Sequence, residues 1–198
     1  MNLPNKITLT RIFMIPVFIL VFFLDGVVPY NYAISAAIFA LAAFTDFIDG
    51  HIARSRGLVT NLGKFLDPIA DKVLVSTAMT LVLTLPALFL RNSMKDALYI
   101  IYAVCVCVIM ARELIISAFR QIAATRGLVL AAEKLGKYKT ACQDVSIVVF
   151  LVAADCTGKF GDFVFGLACG LFAAATVLTV WSGINYLAAY WKYLDPEK

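Results

Sequence analysis

The sequence predicts an all-α, polytopic integral membrane protein, and three observations point there. Hydrophobic residues make up 62% of the 198-residue chain and the mean hydropathy is +0.89, whereas a soluble globular domain is roughly half apolar and a quarter charged. The apolar residues fall into six runs, near 8–24, 32–54, 66–90, 97–118, 138–156 and 160–191, each near or above the roughly 20 residues that one hydrocarbon crossing needs. If the N-terminus is cytoplasmic, one side of the membrane collects all of the 17 lysines and arginines except Arg91, Lys95 and Lys159. That is the positive-inside pattern, and with six spans it puts both termini in the cytoplasm. Helices are the expected spans, because each must satisfy its own backbone polar groups and the short alternating strands of a barrel are missing.

The first run, in "MNLPNKITLTRIFMIPVFILVFFL", is too long for a signal peptide and no small-residue cleavage site follows it. It reads as a retained first span preceded by a short interfacial segment. Residues 25–31 and 91–96 read as short outer loops, and "QIAATRGLVLAAEKLGKYK" as the longest inner connection, with room for a short interfacial helix. The sixth run exceeds one crossing, so it is expected to tilt or project. Trp181, Tyr186, Tyr190, Trp191 and Tyr193 read as interfacial anchors of that last helix. The five cysteines, Cys105, Cys107, Cys142, Cys156 and Cys169, show no zinc spacing and read as buried small apolar residues. No repeat or low-complexity segment divides the chain, which is expected to form one membrane domain over 1–198.

The most informative stretch is "TDFIDGHIARSRGLVTNLGKFLDPIADK". Asp46 and Asp49 lie three apart at the end of the second run, and Asp67 and Asp71 four apart at the start of the third, so each pair shares a helical face. The short connection folds the third helix back beside the second and brings four carboxylates together. Such a cluster needs cations, and hard Mg2+ or Mn2+ ions take carboxylates together with phosphate oxygens and water. Four carboxylates can hold two ions. Gly50, Ala53 and Gly63 leave room for a nucleotide or pyrophosphate near the backbone. Aspartates at the ends of apolar runs also solvate loops, pair with Arg54 or Lys72, or favour a helix N-terminus, but that reading does not account for two pairs at helical spacing. His51 reads as an interfacial polar residue.

The run Asp46-x-x-Asp49-Gly50-x-x-Ala53-Arg54, eight residues, Gly63-x-x-x-Asp67-x-x-x-Asp71 resembles the complete signature of the CDP-alcohol phosphatidyltransferase family. The resemblance implies a pair of divalent metals, Mg2+ or Mn2+, at Asp46, Asp49, Asp67 and Asp71, with Asp71 also the general base. It implies a CDP pocket formed by Asp49, Gly50, Ala53, Arg54 and Gly63. The segments "NLPNKITLTRI", "ARELIISAFR", "GKYKTACQ" and "SGINYLAAYWKY" resemble the bacterial branch of the family that uses sn-glycerol 3-phosphate, over nearly the whole chain. The implied partners are CDP-diacylglycerol, sn-glycerol 3-phosphate, membrane lipids and a second copy in a homodimer, with no nucleic acid. The implied location is the bacterial inner membrane, with the site facing the cytoplasm.

Arg112, at the inner end of the fourth run, is expensive to bury and so calls for an anionic partner. Glu113 projects about 100° away round a helix and is not the expected one. Arg112, Arg120 and Lys137 are the candidates for an acceptor phosphate, the arginines with forked donors and the lysine as a point charge. Lys139 and Arg126 read as headgroup anchors, and Glu133 and Asp144 as balancing nearby lysines. Two rival readings remain: the same chemistry with inositol phosphate, serine or a second lipid as acceptor, and a cation transporter or channel. A transporter would distribute carboxylates across the bilayer depth, whereas these gather at one interface.

Overall fold

The structure, a computed structural model, describes residues 3–55, 61–89, 95–125 and 134–190. Within its helices the side chains at 46–55, 61–65, 67 and 68, with those of a few residues at other helix ends, lie outside the description. The described residues form helices α1 (Leu3–Phe22), α2 (Asn31–Ser55), α3 (Asn61–Leu83), α4 (Pro86–Phe89), α5 (Lys95–Thr125), α6 (Lys134–Asp155) and α7 (Gly158–Tyr190), and they include no strand. Both α5 and α7 contain stretches long and apolar enough to cross a membrane, Asp96–Ala123 and Gly158–Tyr190. Large apolar side chains also line the outside of the bundle: Phe13, Leu20, Leu41, Phe44, Ile100, Leu114, Phe163 and Ile184 are all exposed. An apolar exterior of this kind suits lipid as the solvent.

Three features depart from the expected runs. Helix α1 is continuous from Leu3, so no break sets off an N-terminal segment from the first span. The third run divides, because Pro86 has no N–H to continue a helical ladder; Thr84 and Leu85 close the end of α3 with N–H bonds to the carbonyls of Leu81 and Val82, at 2.9 and 3.1 Å. The inner connection is shortened from both sides by the extension of α5 to Thr125 and the start of α6 at Lys134, and the short helix expected between them falls in 126–133, outside the described residues.

Side-chain bonds fix the turns on the face opposite the aspartates. Asn31 Nδ2 donates to the Phe22 carbonyl at 2.8 Å and closes the end of α1, while the Ala33 N–H, at the start of α2, donates to Asp155 Oδ2 at 2.6 Å. A carboxylate at the start of a helix answers the open N–H groups there, so Asp155 ties α6 to α2. The left-handed conformation of Gly158 (φ 66°) turns the chain from α6 into α7.

Packing sorts the helices. The contact of α6 with α7 is the most extensive, α2 lies against α1, α3 and α6, and α3 also meets α1, α5 and α6. The centre is aromatic. Phe150 is fully buried, with ring centroids 6.2 Å from Phe89, 5.1 Å from Tyr102, 6.0 Å from Phe165 and 5.9 Å from Phe172. The Tyr102 hydroxyl donates to the Met79 carbonyl at 3.3 Å, joining α5 to α3. The cysteines are free and none is fully buried: Cys107 is exposed and the others half-buried. The expected core position is therefore corrected, for a reason particular to lipid, where a thiol costs little on the outside of a bundle.

Because dispersion and shape, rather than water exclusion, hold helices together in lipid, removing a ring from this cluster leaves a void that lipid cannot fill. Phe150→Ala is expected to lower stability by about 3 kcal/mol, read as reduced resistance to denaturation in detergent micelles. A loss below about 1 kcal/mol, an ordinary surface effect, would mean that the cluster does not hold these helices together.

Candidate functional site

Two helices carry the aspartates. The last part of α2 holds Asp46, Asp49, Gly50, Ala53 and Arg54, and the first part of α3 holds Gly63, Asp67 and Asp71. The two helices pack against each other, and helical periodicity places Asp46 with Asp49, and Asp67 with Asp71, on common faces. The side chains of Asp46, Asp49, Ala53, Arg54 and Asp67, with the surroundings of Gly50 and Gly63, lie outside the described residues, as does the side chain of His51. Asp71 is described and half-buried. Among the described residues no three His, Cys, Asp or Glu side chains come together to hold a metal.

Asp71 lines a cavity of about 220 Å3 between α3, α5 and α6, with Lys72, Ser76, Met79, Met110, Glu113, Lys139 and Gln143 among its walls. Glu113 is the centre of its charge. Its Oε1 accepts a hydrogen bond from Lys139 Nζ and another from Arg112 Nη1 at 3.3 Å. Its Oε2 lies 3.9 Å from Lys72 Nζ, which also donates to the Glu113 backbone carbonyl at 3.2 Å. Cations from α3, α5 and α6 therefore meet on one carboxylate. Asp71 attracts both lysines, and Asp144 attracts Lys139. An ammonium within an apolar bundle needs such compensation, because losing water costs several kcal/mol per ion.

Two expectations are corrected here. Glu113 does pair with Arg112: the positions diverge round the helix, but both side chains are long enough to swing back to one another. Lys139 is not a headgroup anchor, since it is 4% exposed and bonded to Glu113. Lys137 is exposed, and two residues along a helix is a rotation of about 200°, so Lys137 and Lys139 face opposite ways. The signal for Lys139 and Glu113 was present in the sequence as opposite charges inside separate apolar runs, each costly unless paired.

The arginines turn toward α7. Arg112 Nη2 donates to Ser182 Oγ at 3.0 Å. Arg120 Nε donates to the Tyr186 hydroxyl at 3.3 Å, and its guanidinium carbon stands 5.7 Å from the centre of that ring, a cation–π distance. Tyr186 is 3% exposed and packs on Phe119, with ring centroids 6.0 Å apart. It is a buried support and not the interfacial anchor expected; Trp181 is exposed, and Trp191 and Tyr193 lie outside the described residues. Gly183 leaves the space that Arg112 occupies: a Cβ there would stand 3.0 Å from Arg112 Cγ and 3.4 Å from its Nε.

Comparison with known proteins agrees with the aspartate pattern. Residues 1–181 match the family model described as CDP-alcohol phosphatidyltransferase. The chain is 35% identical over 203 residues to the CDP-diacylglycerol–glycerol-3-phosphate 3-phosphatidyltransferase of Bacillus subtilis (strain 168), covering 98% of this chain and 97% of that protein. It is 38% identical over 198 residues to the protein of the same description from Escherichia coli (strain K12), covering 95% and 94%. It is also 31% identical over 198 residues to a cardiolipin synthase (CMP-forming) of Oryza sativa subsp. japonica, covering 98% of this chain and 59% of that protein.

The close approach at Gly183 gives a direct test of the arginine placement. Gly183→Ala is expected to keep the helical content, push Arg112 from Ser182, and weaken binding of a phosphate monoester by about tenfold or more, the worth of one hydrogen bond to a charged group. Calorimetric titration checks this, and unchanged affinity would separate the Arg112 position from anion binding.

Proposed function

Because the chain belongs to the CDP-alcohol phosphatidyltransferase family, we propose that it transfers the phosphatidyl group of CDP-diacylglycerol to sn-glycerol 3-phosphate, giving phosphatidylglycerol phosphate and CMP. The observation that carries the proposal is a complete aspartate signature on two packed helices, in a chain similar to glycerol-3-phosphate phosphatidyltransferases over almost its whole length. In this reading the six long helices each cross a bacterial inner membrane, with both termini and the aspartates on the cytoplasmic side. The placement of lysine and arginine supports that orientation. A homodimer is the expected assembly, on the family resemblance.

The donor set suits two Mg2+ or Mn2+ ions, since it consists of carboxylate oxygens alone and its helices present them as pairs. Asp46, Asp49, Asp67 and Asp71 would hold them. Bound there, the ions would neutralise the pyrophosphate of the donor lipid and the charge left on departing CMP. Gly50, Ala53 and Gly63 give the nucleotide close access to the backbone, with Asp49 and Arg54 beside it. Asp71 accepts the proton of the acceptor hydroxyl as its oxygen bonds to the lipid-side phosphorus. The bond from that phosphorus to the CMP oxygen breaks in the same displacement, and no covalent enzyme intermediate is needed. Arg112, Arg120 and Lys137 hold the phosphate of the acceptor, Arg112 and Arg120 steadied by hydroxyls of α7.

A second lipid as acceptor is the alternative, favoured by the similarity to a protein described as a cardiolipin synthase. Purified protein given CDP-diacylglycerol and Mg2+, with labelled sn-glycerol 3-phosphate, inositol phosphate, serine or phosphatidylglycerol in separate reactions, discriminates. Label is expected in lipid from glycerol 3-phosphate alone, with CMP released in equal amount and both lost on adding EDTA. Product from phosphatidylglycerol instead would transfer the assignment to the alternative, and folded protein that releases no CMP with any acceptor would exclude the transfer itself. Asp71→Asn is expected to fold normally and to lose about 10³-fold in kcat, within the range of general-base catalysis; normal turnover would remove Asp71 from that role.

A further inference from the structure

We propose that Gln143 is a specificity-determining residue of the transfer site, whose side-chain carbonyl accepts a hydrogen bond from the hydroxyl next to the reacting one on a short polyol phosphate. The inference rests on the reading of sn-glycerol 3-phosphate as the acceptor and deepens it. Gln143 is 3% exposed, yet it lines the cavity between α3, α5 and α6. Its Nε2 donates to Met79 Sδ at 3.4 Å. Of the two ends of an amide only the N–H end can bring a proton to a thioether sulfur, so the carbonyl end is turned the other way. No hydrogen bond to that carbonyl oxygen is present among the described residues, and it is not one of the fully enclosed, unsatisfied side-chain atoms of the bundle. It is an acceptor open to the cavity and shut off from bulk water, a costly state unless a donor arrives.

The neutral groups of the same cavity specify what that donor is. Thr140 Oγ1 donates to the Gly136 carbonyl at 3.0 Å, and Ser76 Oγ donates to the Val73 carbonyl at 3.2 Å. Both hydroxyls thus commit their protons to their own helices and present lone pairs to the cavity. The amines are engaged as well, Lys139 with Glu113 Oε1 and Lys72 with the Glu113 backbone carbonyl. Thr140 and Gln143 lie three residues apart on one face of α6, and Ser76 faces them from α3, with Met79, Met110 and Leu114 as the apolar walls. An alkyl chain there would leave these acceptors unpaired, and a carboxylate or a second phosphate would meet lone pairs. A short carbon chain bearing hydroxyl donors suits both the acceptors and the apolar walls. Glycerol 3-phosphate carries such a hydroxyl beside the one that reacts. Arg112, assigned to its phosphate, is bonded to the cavity wall at Glu113 Oε1, 3.3 Å away. A site built to bond a substrate hydroxyl rejects the analogue that lacks it, because the buried acceptor is then left unpaired.

The test gives the full chain in nanodiscs CDP-diacylglycerol and Mg2+, with either sn-glycerol 3-phosphate or 3-hydroxypropyl phosphate, the same chain without its middle hydroxyl. The readout is the ratio of the two kcat/KM values. Wild type is expected to favour glycerol 3-phosphate by about tenfold or more. Gln143→Met keeps the length and the packing on Met79 and removes the carbonyl. It is expected to bring the ratio to within about threefold of unity, through lost activity on glycerol 3-phosphate. A merely structural Gln143 would lower both acceptors alike and leave the ratio where it was, and that outcome overturns the proposal. Equal use of the two acceptors by wild type also overturns it, since the carbonyl then serves water alone. If Gln143→Met fails to fold, Gln143→Asn takes its place: its carbonyl is drawn back by one methylene, the ratio is expected to fall by about threefold or more, and an unchanged ratio again overturns the proposal. Wild-type protein that transfers to neither phosphate removes the glycerol 3-phosphate reading and this proposal together, whereas an unchanged ratio in the variants removes this proposal alone.

Discussion

Charge inside an apolar helical bundle must be compensated within the bundle, because neither lipid nor a neighbouring Leu or Met supplies the solvation that water gives. Much of what positions this site follows from that constraint. Lys139 is almost fully buried on α6 and finds Glu113 on α5; Lys72 on α3 finds the same residue. Three helices that also touch through Met79, Tyr102, Gln143 and Phe150 are thereby tied together at a second level, that of Asp71. Arg11 is another cation fully buried in the bundle, on α1, the helix that packs against both aspartate-bearing helices.

The helices were legible in the sequence because they depend on local information, and the same local geometry underlies the expectation for the aspartate pairs. Run length and hydropathy mark a span, and a separation of three or four residues places Asp46 with Asp49, or Asp67 with Asp71, whatever surrounds them. The division of the third run was legible only in Pro86, an apolar letter in a hydropathy profile and a missing donor in a helix. That Glu113 and Lys139 each needed a partner was legible from their place in apolar runs; which partners they would find was not. The partners come from different helices, and a helix apolar on every face carries no periodic stripe to say which way it is turned. The choice between Lys137 and Lys139 shows the difficulty: they are two residues apart, similar in composition, and directed to opposite sides.

The partners of the cations divide the cavity side from the α7 side. On the cavity side lysines meet a carboxylate, so much of their charge is cancelled. On the α7 side Arg112 meets a serine hydroxyl and Arg120 a tyrosine hydroxyl. A neutral acceptor fixes the direction of a guanidinium without cancelling its charge, whereas Arg112 also meets the Glu113 carboxylate at 3.3 Å. Glycine at 183 serves the same arrangement, since α7 has to come close enough for Ser182 to reach Arg112 while leaving space for the arginine stem.

Arg112 stands between the two sides, bonded to Glu113 through Nη1 at 3.3 Å and to Ser182 through Nη2 at 3.0 Å. Two bonds from the two ends of one planar guanidinium fix its orientation as well as its position. The lysine cluster at the cavity and the hydroxyls of α7 are therefore held in register by a single side chain of α5, and the space left by Gly183 is what lets α7 approach closely enough for that to happen.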